Sequence, residues 1–407
     1  MELSQVVVID ESQLPFLDIE SDAYAADPIG ETRAAHLRGP LARSKRGIEI
    51  LSYPLANSVL ADPRFVPLDV KHFARMGAPQ SMVEFAANGF LPGLGRERHE
   101  RIRKVLLRAF SMRRVDAERE LMRRCVDELL TEFEGSGHCD VVKDMSEQLP
   151  VRVLCALLGI PVEDIELFHR SAIDLHLMGA VPLAPGFSRI DDALSSIHDY
   201  VVDLFELRRR EPRDDFMTTL IQAQDADAQL SEAELTWNVV NLIFAGQDTT
   251  RYQLASAVRA FVEDGRAWDR LANDPSLVPN ALEEALRFYP VSQFLVRLTD
   301  EDAELDGYVF PAGRRVIINS LGTSRDPSYF ERPDVFDIDR EPSYKLPFGR
   351  GIHYCLGHAL ARAEMTEALI MMTSRLKDLK IVEPIELGPA TAMISGPESL
   401  KLEFARR

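Results

Sequence analysis

Residues 348–357 run Phe-Gly-Arg-Gly-Ile-His-Tyr-Cys-Leu-Gly, and they place one cysteine, Cys355, between a glycine-rich loop and a helical pattern. Because glycine lacks a Cβ atom, Gly349 and Gly351 can adopt backbone conformations that other residues avoid and can approach a flat partner closely. The apolar pattern of residues 356–361 predicts a helix that begins beside the cysteine. The positive end of a helix favours the thiolate form of cysteine, which is the form that binds metals.

A cysteine in such a stretch can be structural, can bind zinc or can attach heme covalently. A lone cysteine at a helix start is most often structural, and His353, Cys355 and His358 lack the second Cys or His pair of a zinc finger. A covalent heme site needs Cys-x-x-Cys-His, which does not occur. The stretch instead resembles the heme-binding loop of the cytochrome P450 family, whose pattern Phe-Gly-x-Gly-x-His-x-Cys-x-Gly it matches at every defining position.

That resemblance, to the soluble bacterial heme-thiolate monooxygenases, extends over nearly the whole chain. It implies a mainly α fold with a smaller β-rich region, in which a triangular helical body surrounds a buried heme b, with O2 as co-substrate. It also implies that Cys355 is the axial thiolate and metal ligand, with Phe348 and Gly357 beside the porphyrin and His353 at a propionate. A thiolate ligand suits oxygen activation because it pushes electron density towards O–O cleavage.

Composition excludes several classes of protein. The formal net charge of −18 argues against a nucleic-acid partner, because phosphate recognition needs a concentrated basic surface. No run approaches the roughly 20 apolar residues of a membrane span. The four cysteines are widely spaced, which suits a reducing compartment rather than a disulfide framework. We therefore expect a cytoplasmic protein without a membrane segment, in which Cys125, Cys139 and Cys155 are inert.

The patterning indicates one interleaved domain over residues 1–407. Apolar residues at three- and four-residue spacing predict a helical portion at about 95–290 and 355–378. Turn-rich stretches predict a β-rich portion at about 38–65 and 290–345 plus the C-terminus. The longest helix should begin at Ser231, which forms a capping box with Glu234, and end at Gly265.

Inside that helix an apolar stretch gives way to Ala245-Gly246-Gln247-Asp248-Thr249. Taken alone, these residues are as consistent with a solvent-facing polar side as with a site, although Thr and Gly in mid-helix predict a local kink or bulge. The family pattern Ala-Gly-x-Asp/Glu-Thr matches here. By resemblance, Ala245 lies beside the cofactor, and Asp248 and Thr249 relay protons during oxygen activation. We hypothesise that Arg251, at i+3, restrains Asp248.

Further cations and an acid–base pair follow the same family order. The resemblance places His99, Arg103 and Arg297 at the heme propionates, which otherwise would be buried unpaired. The residues before His99 depart from the family pattern, and this weakens the assignment of His99 more than that of Arg103. Glu284 and Arg287 match the family's Glu-x-x-Arg, and Arg340 is the arginine expected to complete a structural network with them.

The substrate region is expected in segments 73–94 and 173–187, on the long helix, and near residues 293–296 and 393–394. Candidate pocket residues are Phe85, Asn241, Phe244, Gln293, Leu295 and Ile394, with Asn241 and Gln293 as possible hydrogen-bond donors. Such residues are more often core than pocket. Together they favour a small to medium apolar organic substrate.

Three functions remain open from the sequence. The leading one is a monooxygenase that hydroxylates or oxidatively dealkylates its substrate, with electrons from ferredoxin and ferredoxin reductase. A peroxide-driven enzyme usually alters the acid–alcohol pair, and a non-enzymatic heme sensor needs none. We expect a monomer that docks an acidic redox protein on basic residues near the thiolate. The candidates are Arg103, Arg113, Arg114, Arg350 and Arg362.

Overall fold

The structure is a computed structural model, and it describes residues 7–179, 183–213, 215–227 and 230–407. Its α-helices are α1 Asp22–Ala26, α2 Pro28–His36, α3 Tyr53–Ala61, α4 Val70–Arg75, α5 Gln80–Asn88, α6 Arg96–Ala109, α7 Met112–Ala117, α8 Arg119–Phe133, α9 Gln148–Leu158, α10 Ile165–His176, α11 Phe187–Arg210, α12 Phe216–Asp227, α13 Glu232–Asp264, α14 Ala267–Asn273, α15 Val278–Phe288, α16 Ser320–Thr323 and α17 His358–Arg375. Its strands are β1 Val7–Val8, β2 Leu41–Ser44, β3 Gly47–Ile50, β4 Phe65–Val66, β5 His138–Asp140, β6 Phe294–Thr299, β7 Ala303–Leu305, β8 Tyr308–Phe310, β9 Arg315–Asn319, β10 Leu376–Ile381, β11 Glu386–Leu387, β12 Pro397–Ser399 and β13 Lys401–Arg406.

The chain forms two compact units. Unit 1 comprises Met1–Leu68, Glu283–Cys355 and Leu387–Ser395, and unit 2 comprises Asp69–Leu282, Leu356–Glu386 and Gly396–Arg407. Most of the strands lie in unit 1 and most of the helices lie in unit 2. Each unit draws on segments that are distant in sequence.

Unit 1 is built on a five-stranded sheet with the order β2-β3-β9-β6-β4. The β2–β3 hairpin is antiparallel, β3 and β9 are parallel, and β6 pairs antiparallel with β9 in a register that places Arg297 opposite Val316. Apolar residues such as Ile48 and Ile318 are buried from solvent. β-Branched side chains are typical of such half-buried, pleated surfaces. Strands β2, β3, β6 and β9 lie in stretches of the chain for which the sequence predicts β structure.

Unit 2 consists of packed helices and a small sheet of order β10-β13-β5. Its core includes Leu106, Ile197, Val240 and Ile243, which are at most 1% exposed. These residues come from α6, α11 and α13, whose apolar positions recur at the three- and four-residue spacing of one helix face. Burial of these faces against each other is the main source of helix stability.

The long helix α13 begins and ends where the sequence predicts. The Ser231 hydroxyl accepts the Glu234 backbone N–H at 3.1 Å, and the Glu234 carboxylate accepts the Ser231 N–H at 3.0 Å, which completes the capping box. Gly265, the C-cap residue, has φ +73°, a conformation that favours glycine. The predicted local bulge is wrong, since the α-helical pattern runs without interruption from Glu232 to Asp264.

Candidate active site

The cysteine loop lies in unit 1 and folds back on itself. Its two glycines have positive φ angles, +69° at Gly349 and +67° at Gly351, which residues with a Cβ atom rarely adopt. The Cys355 backbone N–H donates to the Phe348 carbonyl at 2.8 Å and closes the loop. The following helix, α17, begins at His358 and not at residue 356 as predicted, so Cys355 precedes it by three residues.

Cys355 differs from the other three cysteines in exposure. Cys125, Cys139 and Cys155 are buried, whereas Cys355 is exposed. Burial raises the pKa of the Cys125 thiol to about 11 and those of Cys139 and Cys155 to about 12, so all three stay protonated thiols at neutral pH. Cys355 is therefore the one exposed residue among the four cysteines.

Arg297 supplies an unusual buried cation in unit 1. The residue is 7% exposed, and burial lowers the pKa of its guanidinium to about 10. Its Nη1 donates to the Val296 carbonyl at 2.9 Å, and no described carboxylate forms an ion pair with it. A buried charge is costly unless an anion compensates it. A propionate is such an anion, so the chemistry of this residue fits the family's cofactor.

The predicted contacts among Glu284, Arg287 and Arg340 are present in unit 1. The Glu284 carboxylate accepts two hydrogen bonds from Arg287, both at 2.7 Å, and one from Arg340 Nε at 3.2 Å. Arg287 also donates to the carbonyls of residues 324, 333 and 335 at 2.8–3.2 Å. Both members of the Glu284–Arg287 pair are only 2% exposed at their side chains. Arg287 thus ties α15 to three points of the segment that precedes the cysteine loop.

In unit 2, His99 and Arg103 lie one turn apart on α6. His99 is 1% exposed. Burial first, and then the charge of Arg103, lowers the pKa of His99, so the imidazole is neutral at physiological pH. The neutral ring suits hydrogen bonding rather than ion pairing.

The acid–alcohol pair is on α13 in unit 2. Thr249 Oγ1 donates to the Ala245 carbonyl at 3.1 Å, the bond expected of a threonine in mid-helix. Arg251 approaches Asp248 at 3.7 Å, so the predicted pairing is present but long. A shorter contact, of 2.7 Å, joins Arg251 to Glu398 on β12. Glu398 was not identified from the sequence because it lies 147 residues from Arg251 and belongs to no motif.

The candidate pocket residues divide between the units. In unit 2, Phe85 is buried and its ring centroid lies 6.1 Å from those of Trp237 and Phe244. Asn241 and Phe244 are partly exposed. The sequence also placed segment 173–187 at the substrate, and residues 180–182 of this segment lie outside the described residues.

In unit 1, an isolated bridge joins Ser292 to Ile394, which brings Ile394 beside the start of β6 and Leu295. Gln293 donates its amide hydrogens to the carbonyls of Pro290 and Ser395, at 2.8 and 3.3 Å. The prediction that Gln293 offers hydrogen-bond donors to a substrate is therefore wrong, since these donors hold the local chain together.

Known proteins resemble this chain in sequence. The family model for cytochrome P450 matches residues 70–384, a span that includes the acid–alcohol helix and the cysteine loop. The chain belongs to the cytochrome P450 family. This P450 is 35% identical to nocardicin C N-oxygenase of Nocardia uniformis subsp. tsuyamanensis over 335 residues, which are 82% of each chain. It is 32% identical to luteothin monooxygenase of Streptomyces thioluteus over 97% of both chains.

Solved structures agree on the fold of this P450. A crystal structure of epothilone D-bound cytochrome P450epoK matches with a TM-score of 0.86 and 30% identity, covering 95% of this chain and 98% of that one. The P450 fold predicted from the cysteine loop is thereby confirmed, as is an oxidoreductase of the monooxygenase type that uses heme and O2. No described helix is long and apolar enough to cross a bilayer.

Proposed function

We propose that this P450 is a heme b monooxygenase in which Cys355 is the axial thiolate and which inserts one oxygen atom from O2 into a small to medium apolar organic substrate. The observation that carries the proposal is the exposed sulfur of Cys355, presented by a loop with two left-handed glycines. The other cysteines are buried thiols that no ligand reaches without local unfolding.

The residues that would hold the heme are those that match the family's motifs. Arg297, His353, His99 and Arg103 would bind propionates. Phe348 would pack beside the porphyrin, with Ala245 and Gly357 near the ring. The bound heme supplies the redox chemistry that activates O2. The protein contributes the thiolate, the compensating cations and the shape around them.

Proton delivery is the task of the α13 side chains in this proposal. The Thr249 hydroxyl has one donor and two acceptor sites, so it can hold a water molecule while bonded to the Ala245 carbonyl. The Asp248 carboxylate is 13% exposed at its side chain and can exchange a proton with water. The acid carries the proton and the hydroxyl positions it, which is the division of labour expected of a relay.

The substrate proposal rests on the aromatic residues of unit 2. Phe85, Trp237 and Phe244 form an apolar group on α5 and α13, which favours apolar ligands that offer few hydrogen bonds. The relatives include a protein named mycinamicin IV hydroxylase/epoxidase, of Micromonospora griseorubida, and one named vitamin D(3) 25-hydroxylase, of Pseudonocardia autotrophica. An apolar natural product or similar compound is therefore the class of substrate to screen first.

We further propose a cytoplasmic, monomeric protein that receives electrons from ferredoxin and ferredoxin reductase. Of the basic residues suggested for docking, Arg113, Arg114 and Arg350 are exposed, and Arg103 and Arg362 are partly exposed. Arg350 is held by Asn57 at 2.7 Å. Small acidic redox proteins would be attracted to these cations, so electron transfer should weaken as salt screens the charges.

One experiment tests the thiolate assignment directly. The reduced holoprotein with carbon monoxide should show the strongly red-shifted Soret band of a thiolate-ligated heme. Cys355→Ala should abolish this band, and Cys125→Ala, the matched control, should retain it. A band that survives Cys355→Ala would show that another group holds the iron.

Turnover then separates the three functions. With a surrogate ferredoxin, its reductase and a library of apolar compounds, product that depends on reductant supports the monooxygenase. Product formed only with peroxide supports a peroxygenase, and spectral ligand shifts without any product support a sensor. Each outcome is read on the same holoprotein preparation, so loss of heme is not mistaken for loss of activity.

A further inference from the structure

Three side chains surround the Arg251 guanidinium in unit 2, and we call the four residues together the Arg251 cluster. Asp248, Arg251 and Tyr252 belong to α13, and Glu398 belongs to β12. The Arg251 guanidinium stacks over the Tyr252 ring at 4.6 Å. The Tyr252 hydroxyl donates to Glu398 Oε1, while Arg251 binds Glu398 Oε2, so each carboxylate oxygen has its own donor.

Two carboxylates therefore compete for one guanidinium. Arg251 lies 2.7 Å from Glu398 but 3.7 Å from Asp248. The first distance is that of a charge-assisted hydrogen bond, and the second is too long for one. The Arg251 and Asp248 side chains are 14% and 13% exposed, so water screens this competition only partly. The principal bond of Arg251 thus goes to Glu398.

Close packing holds Glu398 against the helix. A Cβ atom on Gly396 would lie 2.8 Å from the Tyr252 Cβ, so the chain that leads into β12 runs directly along α13. A residue with a side chain at position 396 would push this segment away. The geometry that brings Glu398 to Arg251 therefore depends on the local backbone and is not a chance contact between two long exposed side chains.

The proposed relay makes this competition functionally relevant. Asp248 must turn and must gain and lose a proton if it carries protons as we propose. A guanidinium bonded tightly to it would hold it in place and favour its anion. We propose that Glu398 is a positioning residue for proton delivery: by binding Arg251, it keeps the guanidinium out of hydrogen-bonding range of Asp248. This inference rests on the proposed function and extends it to a residue outside the motifs.

The charges around the cluster keep Arg251 a cation throughout the working pH range. Burial opposes this charge, but Tyr252, Glu147, Glu398 and Asp248 together raise the pKa of Arg251. Burial first, with Glu398 and Asp248 adding to it, raises the pKa of Tyr252, which therefore stays protonated. Arg251 and Tyr252 therefore keep their protons, and the acids that face this guanidinium are Asp248, Glu398 and Glu147.

The test compares two matched variants of the holoenzyme. Glu398→Gln removes the charge that binds Arg251. Glu263→Gln is the control, because Glu263 also pairs with an arginine of α13, Arg259, at 2.9 Å and has 35% exposure against 36% for Glu398. Infrared titration, with the Asp248 band assigned through Asp248→Asn, reports proton uptake by Asp248 independently of turnover.

In Glu398→Gln we expect Arg251 to move onto Asp248. The titration midpoint of Asp248 should fall by about 1–3 pH units, the usual effect of an adjacent arginine. A second measurement is the pH profile of the product formed per reductant consumed. The limb of this profile that reports Asp248 should move in the same direction as the titration midpoint. Glu263→Gln should change neither quantity. A crystal structure of Glu398→Gln should show an Arg251–Asp248 distance below the present 3.7 Å.

The double variant Arg251→Gln with Glu398→Gln separates positioning from a merely structural role. If Glu398 acts through Arg251, removing the arginine as well should return the Asp248 midpoint towards the wild-type value. If the Arg251–Glu398 pair only connects β12 to α13, the Asp248 midpoint of the double variant should be no closer to the wild-type value than that of Glu398→Gln. Tyr252→Phe removes one hydrogen-bond donor to Glu398 and is a milder variant, to be used if Glu398→Gln folds poorly. It should also lower the titration midpoint of Asp248.

The failures of the two proposals are distinguishable. If Asp248→Asn leaves reductant-dependent product unchanged, the proton relay itself is refuted. If Asp248→Asn blocks product but Glu398→Gln has the same Asp248 midpoint as Glu263→Gln, the relay stands and the positioning role of Glu398 is overturned.

Discussion

Replacing Glu284 with glutamine tests whether the buried network in unit 1 stabilises the protein. The Glu284 carboxylate accepts two hydrogen bonds from Arg287, one from Arg340 and one from the Asp337 backbone N–H. Glutamine keeps the size of the side chain but loses the charge, and its amide group presents hydrogens to the arginine donors. The Arg287 guanidinium, with 2% of its side chain exposed, would then be a buried cation without a compensating anion.

The structure allows the magnitude to be estimated. Breaking a buried, hydrogen-bonded ion pair by removing one partner costs about 3–5 kcal/mol. Arg287 retains its bonds to the carbonyls of residues 324, 333 and 335, which satisfy its hydrogens but not its charge. We therefore expect Glu284→Gln to lower the free energy of unfolding by about 3 kcal/mol, the lower end of that range.

The chain offers a matched control for this substitution. Glu120 and Arg123 form the same residue pair at the same spacing of three on α8, at 3.1 Å, but their side chains are 68% and 44% exposed. Exposed pairs contribute about 0–1 kcal/mol, so Glu120→Gln should change the free energy of unfolding by less than about 1 kcal/mol. Both variants replace the glutamate of a Glu–Arg pair by glutamine. The two sites differ in burial and in the additional bonds that Glu284 accepts from Arg340 and Asp337, whereas Arg123 keeps a second carboxylate partner, Glu367.

Urea unfolding of the holoproteins, followed by fluorescence and by the red-shifted Soret band of the carbon monoxide complex, measures both effects. The second signal reports on the cysteine loop, which we propose that the network braces. If Glu284→Gln and Glu120→Gln lose equal stability, burial does not strengthen this pair and the reasoning is refuted. Arg340→Ala removes the 3.2 Å bond to Glu284 and the bonds to the carbonyls of residues 331, 332 and 335, from a side chain with 14% exposure, and its loss of stability should lie between the other two.

Three further outcomes are expected. Burial opposes ionisation of Glu234, but hydrogen bonds, of which that from Arg101 is the strongest, lower the pKa of Glu234 to about 2. The stability that Glu234→Gln removes should therefore be present at pH 7 and be lost as pH falls towards 2, as measured by acid-unfolding curves. Burial raises the pKa of Glu364 well above its usual range; the stability contributed by its neutral carboxyl should therefore be lost, by up to about 1.4 kcal/mol per pH unit, as pH rises above the usual carboxyl range, and Glu364→Gln should lack this loss in denaturation series at several pH values. A Cβ at Gly89 would meet the Trp237 carbonyl at 2.3 Å, so Gly89→Ala should lower the melting temperature through a loss of about 1–3 kcal/mol; an unchanged melting temperature would show that the α5 terminus moves freely.

Local patterns were enough to predict much of this protein. Ser231, Glu234 and Gly265 define the ends of the longest helix because capping is a short-range interaction between residues a few positions apart. Gly349 and Gly351 indicated a loop that only glycine adopts easily, and both have positive φ angles. The position of the helix after Cys355 was wrong by two residues, since the end of a helix depends on its packing as well as on its sequence.

Contacts between distant segments could not be read in the same way. Arg251 was expected to pair with Asp248, its neighbour at i+3, but its shorter bond is to Glu398. Gln293 was expected to face a substrate, but it donates to Ser395, about a hundred residues later in the chain. In both cases a separate segment supplies a hydrogen-bond partner that the sequence did not predict.

The sequence by itself determined which residues supply the chemistry of this P450. It identified the cysteine that follows a glycine-rich loop, the helix that contains an acid beside an alcohol, and the acid–base pair that comes after that helix. These are properties of short motifs, whose residue types and spacing restrict the backbone and the available donors. Only the tertiary structure decided that Glu284 is buried while Glu120 is exposed, and that Glu398 reaches Arg251. Burial and long-range pairing depend on how the whole chain packs, because each side chain's environment is made by segments that may lie anywhere in the sequence.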